Sequence, residues 1–434
     1  MGEIEGRVFA SELDKNLIGK KVSIAGWVED IRPLGSLIFL TVRDVSGFAQ
    51  SVFVKGNTPP DVFASVKSIA RQSAIVIHGT AKESKAKDVR VEIQADGMEI
   101  LSSATHPLPI DPTGRVGSSL ELRLDARALD LRNPSIAALF KIRHVALQSA
   151  RKSLIEEKFI EVNTPKIIGQ AAEGGATLFP LSYFGKKAFL AQSPQLYKEQ
   201  LTLSLDRVFE ISGYFRAEKS HTRRHLNEFI SVDIESAFSN KEDVMKVLER
   251  LVKNAIEGVL EKCKNELGAL NMRLRSPDIP FDRITYSDAV EELKRSSSRI
   301  DFGDDLDTKA LRKLSKKHSG FYFIVDWPTT LKPFYVETKE GNSDLSESFD
   351  LMYGYLELAS GGTRVSDKAR LEKRLLDSGL DLRSFSSHLE VFSWGMPPHA
   401  GWGLGLDRFM MVLTGMKNIR EVVLYPRDRF RLSP

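Results

Sequence analysis

The hydrophobic pattern of the first hundred residues predicts a small β domain. Alternating apolar and polar positions mark five candidate strands, at residues 22–28, 38–42, 49–53, 74–78 and 91–93. Between the third and the fourth strand, Val62, Phe63 and Val66 would share one face of a helix. Three strands, a helix and two strands is the order of an OB barrel, although other small β domains share it.

The pattern changes after this domain. Prolines and glycines crowd the first part of residues 105–134, which predicts a linker. A long amphipathic helix is expected over 136–158 and a short strand over 159–162. Strands and helices then alternate irregularly to the end. We therefore predict an α+β protein, with an N-terminal OB-fold domain at 1–104 and one large domain at 135–434.

The amino-acid composition excludes a few classes of protein but does not identify the function. Lys and Arg total 62 against 58 Asp and Glu, a net charge of +4, so nucleic-acid binding would depend on local patches. The single cysteine, Cys263, excludes an internal disulfide framework and a cysteine-cluster metal site. No signal peptide is evident, and no apolar run reaches the ~18 residues of a membrane helix. We expect a cytoplasmic protein that does not bind membranes.

The strongest local pattern is a strand that ends at Arg216, with a return strand that begins near Phe229. Such a hairpin would place a guanidinium, which binds phosphate through two hydrogen bonds, beside an aromatic face suited to a purine. The alternative is an exposed hairpin with ordinary ion pairs.

Two further stretches contain candidate chemistry. Glycines in 401–408 would let the backbone approach a ligand, with Arg408 at the start of a helix. A glycine-rich packing strand is the alternative. Asp350 and Glu357 flank a predicted turn at 353–355, and two such carboxylates suit Mg²⁺, because hard cations take oxygen ligands. A solvated pair of acids is the alternative here.

Together and in this order, these stretches resemble the three signature motifs of class II aminoacyl-tRNA synthetases. Residues 159–165 resemble motif 1, residues 215–229 motif 2 and residues 403–408 motif 3. The resemblance covers almost the whole chain. It implies a catalytic domain built on an antiparallel sheet flanked by helices, and a homodimer formed through motif 1. With an OB barrel, it indicates the subgroup for aspartate, asparagine and lysine.

Within that subgroup, residues 172–175 and 192–198 resemble the aspartate enzymes of the compact archaeal type. The resemblance implies that Lys198 and Arg364 hold the side-chain carboxylate of aspartate. An amide substrate would leave these two cations unpaired in a desolvated site, at a cost of about 3–5 kcal/mol. Thr363 departs from the family pattern, where Gln is more usual. The other implied aspartate-binding residues are Glu173, Ser193, Gln195, Asp233, Ser360 and His399.

The resemblance also implies ATP as substrate and Mg²⁺ as cofactor. Arg216 and Arg408 would be the catalytic residues, holding the α-phosphate and the γ-phosphate. The remaining implied ATP contacts are Glu218, Arg224, His225, Phe229 and Glu357. The implied Mg²⁺ ligands are Asp350, Glu357 and Ser360.

The implied function is ATP-dependent activation of L-aspartate and its transfer to the 3′ end of tRNA-Asp, with tRNA-Asn left open. In the barrel, Arg32, Phe39 and Gln50 would contact the anticodon. Phe39 is either a stacking platform or a core residue. Two other functions stay open: an asparaginyl enzyme, which Lys198 disfavours, and a non-catalytic synthetase-like protein that binds tRNA.

Overall fold

The computed structural model describes residues 4–86, 89–169 and 178–434. The chain divides into two compact units, Met1–Ser118 and Ser119–Pro434, and the division falls within the predicted linker. Among the described residues, no helix is long and apolar enough to cross a membrane.

The first unit contains five strands and one helix. Its elements are β1 (Lys21–Leu34), β2 (Leu37–Arg43), β3 (Phe48–Val54), α1 (Pro60–Ser68), β4 (Ala74–Glu83) and β5 (Val91–Ser102). The strands form a closed barrel in the order β1-β2-β3-β5-β4, in which β3 and β5 run parallel. The predicted OB fold is therefore confirmed.

The barrel core follows the two-residue period of its strands. In β2, Ile38, Leu40 and Val42 are buried in the core, whereas Phe39 and Thr41 between them are half-buried. Successive side chains of a strand point to opposite faces. Phe39 therefore lies on the outer face of the barrel.

The second unit is built around a large sheet. Its strands are β6 (Ile160–Glu161), β7 (Ile167–Ile168), β8 (Pro180–Tyr183), β9 (Lys186–Leu190), β10 (Arg207–Phe215), β11 (Glu228–Ala237), β12 (Asp282–Thr285), β13 (Phe321–Val325), β14 (Thr338–Lys339), β15 (Asn342–Ser346), β16 (Ser348–Tyr353), β17 (Leu356–Thr363) and β18 (His399–Gly405). Eight of them form one sheet in the order β12-β13-β16-β17-β18-β11-β10-β6. The sheet is antiparallel except at its two edges, where β12 pairs with β13 and β6 with β10 in parallel.

Helices flank this sheet as predicted. They are α2 (Leu120–Asp125), α3 (Arg127–Asp130), α4 (Pro134–Glu156), α5 (Gln195–Leu205), α6 (Lys241–Lys262), α7 (Lys264–Ala269), α8 (Tyr286–Arg295), α9 (Thr308–Leu314), α10 (Lys368–Asp377), α11 (Ser386–Val391) and α12 (Leu406–Thr414). The main core joins α4 and α6 to the sheet, with Ile142, Leu248 and Trp402 fully buried in it. The side chain of Asn240 caps α6, because it accepts hydrogen bonds from the first free N–H groups of the helix.

Residues 119–134 had been included in the predicted linker, but they belong to the second unit. They form α2, α3 and the start of α4. In α3, the buried guanidinium of Arg127 donates to the backbone carbonyls of Glu421 and Leu424 and pairs with Asp130. A buried arginine needs such partners for its five N–H groups. Arg127 thus fastens this segment to the C-terminal end of the chain.

Candidate active site

A cavity of about 450 Å³ lies in the second unit, between the sheet and α5 and α12. It brings together residues of the 192–198 stretch and of motifs 2 and 3, whereas residues 159–165, the expected motif 1, are not part of its described lining. The predicted site residues in its lining are Ser193, Gln195, Lys198, Arg216, Glu218, Arg224, His225, Phe229, Asp233, Glu357, Ser360, Arg364 and Arg408. Asp350 lines a smaller cavity of about 250 Å³, which shares Lys332, Glu357 and Ser360 with the large one. Glu173 lies outside the described residues.

The hairpin of β10 and β11 forms one wall of the large cavity. Its two strands pair antiparallel, with Tyr214 opposite Phe229. Beyond the paired region, Asn227 Nδ2 donates to the carbonyl oxygens of Arg216 (2.7 Å) and Glu218 (3.1 Å). The Arg216 guanidinium lies 5.3 Å from the centroid of the Phe229 ring. The hairpin therefore places a cation beside an aromatic face, as predicted. Asn227 joins the two segments of the hairpin beyond their paired region.

Three more basic residues lie at this end of the cavity. Arg224 Nη2 donates to Thr308 Oγ1 at 2.6 Å, and Arg408 Nη1 donates to the carbonyl oxygen of Glu357 at 3.0 Å. Burial and the neighbouring charge of Arg408 lower the pKa of Arg224 and that of His225. Such mutual repulsion between cations is relieved when a polyanion binds. This end of the cavity is suited to a chain of phosphates.

The glycines of β18 make room for two carboxylates of β11. Gly403 is opposite Asp233, and Gly401 is opposite Glu235. A methyl group on Gly403 would lie 2.9 Å from Asp233 Oδ1, and one on Gly401 would overlap the Glu235 carboxylate. Glycine is therefore needed at both positions for packing against β11, as the packing-strand alternative proposed, and Gly403 also lines the cavity.

At the other end of the cavity, four charged side chains form one buried cluster. Lys198 Nζ lies 3.2 Å from Asp233 Oδ1 and 3.4 Å from Glu235 Oε2. Arg364 binds Glu235 through Nε (2.8 Å) and Nη2 (3.3 Å). Although burial opposes ionisation, attraction and hydrogen bonding to Glu235 raise the pKa of Arg364. We call Lys198, Asp233, Glu235 and Arg364 the buried charge cluster.

Two features of this cluster matter for ligand binding. Asp233 Oδ2 is buried and, among the described residues, has no hydrogen-bond partner. Glu235 was not predicted as a site residue. A signal was present, because Glu235 follows Asp233 by two positions in a strand, and such residues share a face.

His399 does not lie where the resemblance had placed it. Its ring is fully buried and is absent from the described lining of the cavity. Nδ1 lies 2.8 Å from the carbonyl oxygen of Pro397, and Nε2 lies 3.6 Å from Glu199 Oε2. Glu199 Oε1 accepts a hydrogen bond from Gln195 Nε2 at 2.5 Å. His399 therefore connects with the cavity through Glu199 and Gln195, because these residues stand between it and the open space.

Gln192 is a further lining residue that was not predicted. Its side chain is fully buried, and neither of its amide atoms has a hydrogen-bond partner among the described residues. A buried amide without partners is unusual in folded proteins, and Gln192 can therefore donate to and accept from a polar group in the cavity. The sequence signal for Gln192 is its place in the 192–198 stretch, which resembles the aspartate enzymes.

The residues predicted to hold a metal lie on neighbouring strands. Asp350 in β16 is opposite Ser360 in β17, and Glu357 follows the turn between them. Oxygen ligands of this kind fit a hard divalent cation. No group of three or more His, Cys, Asp or Glu among the described residues could hold a metal alone. That Asp350, Glu357 and Ser360 hold a metal stays a prediction.

The barrel places its three predicted residues on the outer face of neighbouring strands. Arg32 of β1 is directly opposite Phe39 of β2, and Gln50 of β3 is opposite Thr41. Phe39 is not a member of the barrel core cluster. This position favours a surface role for Phe39 over a core role. Contact with an anticodon stays a prediction.

The comparisons with known proteins agree with this arrangement. The family described as tRNA synthetases class II (D, K and N) matches residues 119–429, and an OB-fold nucleic acid binding domain matches residues 22–101. The chain therefore belongs to the class II tRNA synthetases of the D, K and N group. Enzymes of this family use ATP, a divalent metal, an amino acid and tRNA.

Particular relatives narrow the comparison. The chain is 47% identical over 429 residues to an aspartate–tRNA(Asp/Asn) ligase of Archaeoglobus fulgidus, covering 99% of this chain and 100% of that protein. It is 45% identical over 435 residues to one of Methanothermobacter thermautotrophicus, covering 100% of both. Among solved structures, asparaginyl-tRNA synthetase of Pyrococcus horikoshii with asparaginyl-adenylate has a TM-score of 0.93 and 33% identity, covering 99% of this chain and 100% of that one. Aspartyl-tRNA synthetase of Entamoeba histolytica has a TM-score of 0.86 and 31% identity, covering 99% and 92%.

Proposed function

We propose that this chain activates L-aspartate with ATP and transfers it to tRNA. The observation that carries the proposal is the buried charge cluster at one end of a cavity whose other end holds several basic side chains. The first end is small and charged, which suits an amino acid. The second end suits the triphosphate of ATP.

The charges of the cluster favour aspartate over asparagine. The α-ammonium group of the amino acid would bind Asp233, whose Oδ2 has no hydrogen-bond partner among the described residues. Among the described residues, Lys198 and Arg364 then contact one anion, Glu235, which leaves one positive charge of the buried charge cluster unbalanced. The side-chain carboxylate of aspartate would neutralise that charge, whereas an amide would not. An uncompensated buried charge costs about 3–5 kcal/mol.

The physical basis of this selectivity differs from the one expected from the sequence. The sequence indicated two unpaired cations around the pocket, but Glu235 binds both of them before any substrate arrives. Selectivity then depends on one residual charge. The archaeal relatives named as aspartate–tRNA(Asp/Asn) ligases support aspartate as the substrate. Similarity of fold does not separate the two amino acids, since a solved asparaginyl enzyme has a TM-score of 0.93.

Activation would be an in-line displacement. An oxygen of the aspartate α-carboxylate attacks the α-phosphorus of ATP, the bond to the β-phosphate oxygen breaks, and pyrophosphate leaves. Arg216 would stabilise the charge that develops on the α-phosphate. Arg224, His225 and Arg408 would bind the outer phosphates. The chain needs no side-chain nucleophile, because alignment of the two substrates supplies much of the rate.

The remaining nucleotide contacts follow from the same placement. Phe229 would stack on the adenine ring, and Glu218 would accept a hydrogen bond from its amino group. We propose Mg²⁺ as the metal, held through Asp350, Glu357 and Ser360. When bound, it neutralises charge on the phosphate oxygens of ATP.

Transfer to tRNA would follow at the carbonyl carbon of the aspartyl-adenylate that activation forms. A 3′-terminal ribose hydroxyl of tRNA attacks it, an ester forms, and AMP leaves. We infer that Arg32, Phe39 and Gln50 on the outer face of the barrel bind the anticodon. Because the archaeal relatives are named for tRNA(Asp/Asn), we propose that both tRNA-Asp and tRNA-Asn are charged.

We also propose a homodimer formed through residues 159–165. Ile155, Ile160 and Ile167, before, within and just after this segment, are each about half exposed. Exposed apolar side chains in such proximity favour a protein interface. Light scattering coupled to size-exclusion chromatography should give twice the chain mass, and a monomer mass at micromolar concentration would contradict this part.

Aminoacylation assays test the function directly. Purified tRNA-Asp and tRNA-Asn are each incubated with ATP and labelled aspartate or asparagine. We expect both tRNAs to accept aspartate and neither to accept asparagine. Charging with asparagine would refute the substrate. Adenylate formation without transfer to either tRNA would refute the tRNA proposal alone.

A further inference from the structure

Lys332 occupies a position that no predicted role explains. It follows a short 3-10 turn at Thr329–Leu331, after β13. Its Nζ lies 2.8 Å from both Oδ1 and Oδ2 of Asp350 and 4.5 Å from the centroid of the Trp327 ring. The side chain lines both the large and the small cavity. Lys332 therefore stands at the junction of the two cavities.

The ammonium group uses the same oxygen atoms that a metal would use. Asp350 is buried, and burial raises its pKa while Lys332 opposes that rise. Without a cation nearby, an ionised Asp350 would be unfavourable in this position. A divalent ion and an ammonium group cannot both lie against one carboxylate without strong repulsion. Binding of one therefore weakens binding of the other.

We propose that Lys332 is a resident counter-ion that competes with the divalent metal for Asp350, so that metal binds well only together with nucleotide. This inference deepens the proposed function, because it rests on the metal site assigned there. Without nucleotide, the charged residues in the described lining of the small cavity, Asp305, Asp350, Glu357 and Lys332, carry a formal net charge of minus two. Lys332 reduces this charge from minus three and lies against both carboxylate oxygens of Asp350, which weakens the attraction for a divalent ion. The phosphates of ATP supply further anionic oxygens in the large cavity. In the large cavity, the phosphate oxygens would bind both the metal and the ammonium group of Lys332.

Metal binding without nucleotide tests the inference. Free Mn²⁺ is measured by electron paramagnetic resonance while it is titrated into the full-length protein and into Lys332→Met. We expect the variant to bind at least about tenfold more tightly, since removal of a neighbouring like charge favours the metal strongly. Equal or weaker binding would overturn the proposal and leave Lys332 as a structural partner of Asp350.

Nucleotide provides the second arm of the experiment. With a saturating non-hydrolysable ATP analogue, we expect the two proteins to differ by less than about threefold, because phosphate then binds the ammonium group in the wild type. A tenfold difference that persists with the analogue would refute the coupling to nucleotide. Adding Asp350→Asn to Lys332→Met should abolish the gain in affinity. If it does not, the extra Mn²⁺ binds elsewhere and the inference fails.

Two variants serve as controls. Lys339 pairs with Asp326 and is not part of the described lining of either cavity. Lys339→Met should therefore bind Mn²⁺ with the affinity of the wild type. Lys332→Arg keeps the positive charge and should also resemble the wild type in its affinity for Mn²⁺.

If Lys332→Met folds poorly, Lys332→Gln replaces it. Mn²⁺ should then raise the Tm of Lys332→Gln more than that of the wild type. An unchanged Tm increment would contradict the proposal. Aspartate-dependent pyrophosphate exchange by the wild type tests the proposed function separately, because Mn²⁺ binding requires no reaction.

Discussion

The two ends of the cavity balance their charges in different ways. At the amino-acid end, Lys198, Glu235 and Arg364 have side chains no more than 3% exposed, and each cation contacts an anion inside the protein. At the nucleotide end, the side chains of Arg408 and Glu357 are 26% and 48% exposed and lie 3.9 Å apart. Buried pairs are sensitive to the loss of one partner, whereas exposed pairs contribute little to stability. We infer that the first end selects its ligand by charge and that the second mainly binds and aligns phosphates.

The comparison can be tested first by removing Glu235, the anion that contacts both buried cations. Glu235→Gln should lower the free energy of unfolding by about 3–5 kcal/mol, because it leaves buried charge uncompensated. Urea denaturation measures this effect. Glu291→Gln is the matched control, since Glu291 pairs with Arg295 at the surface and should cost less than about 1 kcal/mol. Similar losses in the two variants would mean that the cluster is no more sensitive than a surface pair.

Arg216→Ala tests the nucleotide end. Loss of this guanidinium should reduce aspartate-dependent pyrophosphate exchange by about 10²–10³-fold, the usual effect of removing one group that stabilises transition-state charge. The fold should persist, as judged by circular dichroism. Arg283→Ala removes an arginine that pairs with Glu242 and lines no described cavity, and it should keep normal exchange. Normal exchange in Arg216→Ala would exclude the assigned role.

The outer face of the barrel is a third candidate binding surface, after the two ends of the cavity. Phe39→Ala should weaken tRNA binding by about 1–3 kcal/mol, the contribution of one stacked base, and leave pyrophosphate exchange intact. Its fully buried neighbour Leu40 is the control, because Leu40→Ala should cost about 2–5 kcal/mol of stability. Fluorescence titration with tRNA and thermal unfolding separate the two effects. A large fall in the Tm of Phe39→Ala would show that this residue packs in the barrel core and would contradict its role as a stacking platform.

Glu199 and His399 give the smallest expected effect, a dependence of stability on pH. Burial opposes the charge of both groups, but attraction between Glu199 and the imidazoles of His388 and His399, each 3.6 Å away, lowers the pKa of Glu199. The same contact with Glu199 raises the pKa of His399. The raised histidine pKa stabilises the fold fully below the ordinary value of 6.5, and this contribution is lost as pH rises through the folded-state value. The lowered pKa of Glu199 contributes above the ordinary value of 4.5 and is lost as pH falls through the lower folded value.

Stability should therefore fall above neutral pH, by at most about 1.4 kcal/mol per pH unit for one proton. Urea denaturation at about pH 6 and about pH 9 measures the slope. Glu199→Gln removes the carboxylate that holds the proton on His399 and should flatten it. An unchanged slope in this variant would exclude the pair as its source.

Local periodicity accounts for the helices and strands that the sequence could predict, and the family resemblance accounts for the predicted site residues. Alternation in β2 and the spacing of apolar residues in α4 identify elements, because both patterns reflect burial of one face. The motif residues Arg216, Phe229 and Arg408 line one cavity, as the family resemblance implied. A hairpin fixes Arg216 relative to Phe229, whereas Arg408 reaches them through the pairing of β11 with β18.

Contacts between distant segments could not be predicted in this way. Glu235 and Arg364 are 129 positions apart and meet through the order of strands in the sheet. Lys332 follows an irregular turn, so no period places it on Asp350. His399 matched a family motif, yet the position of Glu199 between it and the cavity depends on packing of α5. Periodicity assigns a residue to a face, but it does not identify the partner across that face.

The central claim is that one residual positive charge in the buried charge cluster selects aspartate. The most direct measurement is kcat/KM for pyrophosphate exchange with aspartate and with asparagine, in the wild type and in Lys198→Met. The wild type should prefer aspartate by at least about 10²-fold, since an uncompensated buried charge costs about 3–5 kcal/mol. The variant loses the residual charge and should lose most of this preference, mainly through slower reaction with aspartate. A variant that still prefers aspartate by the wild-type factor would contradict the account.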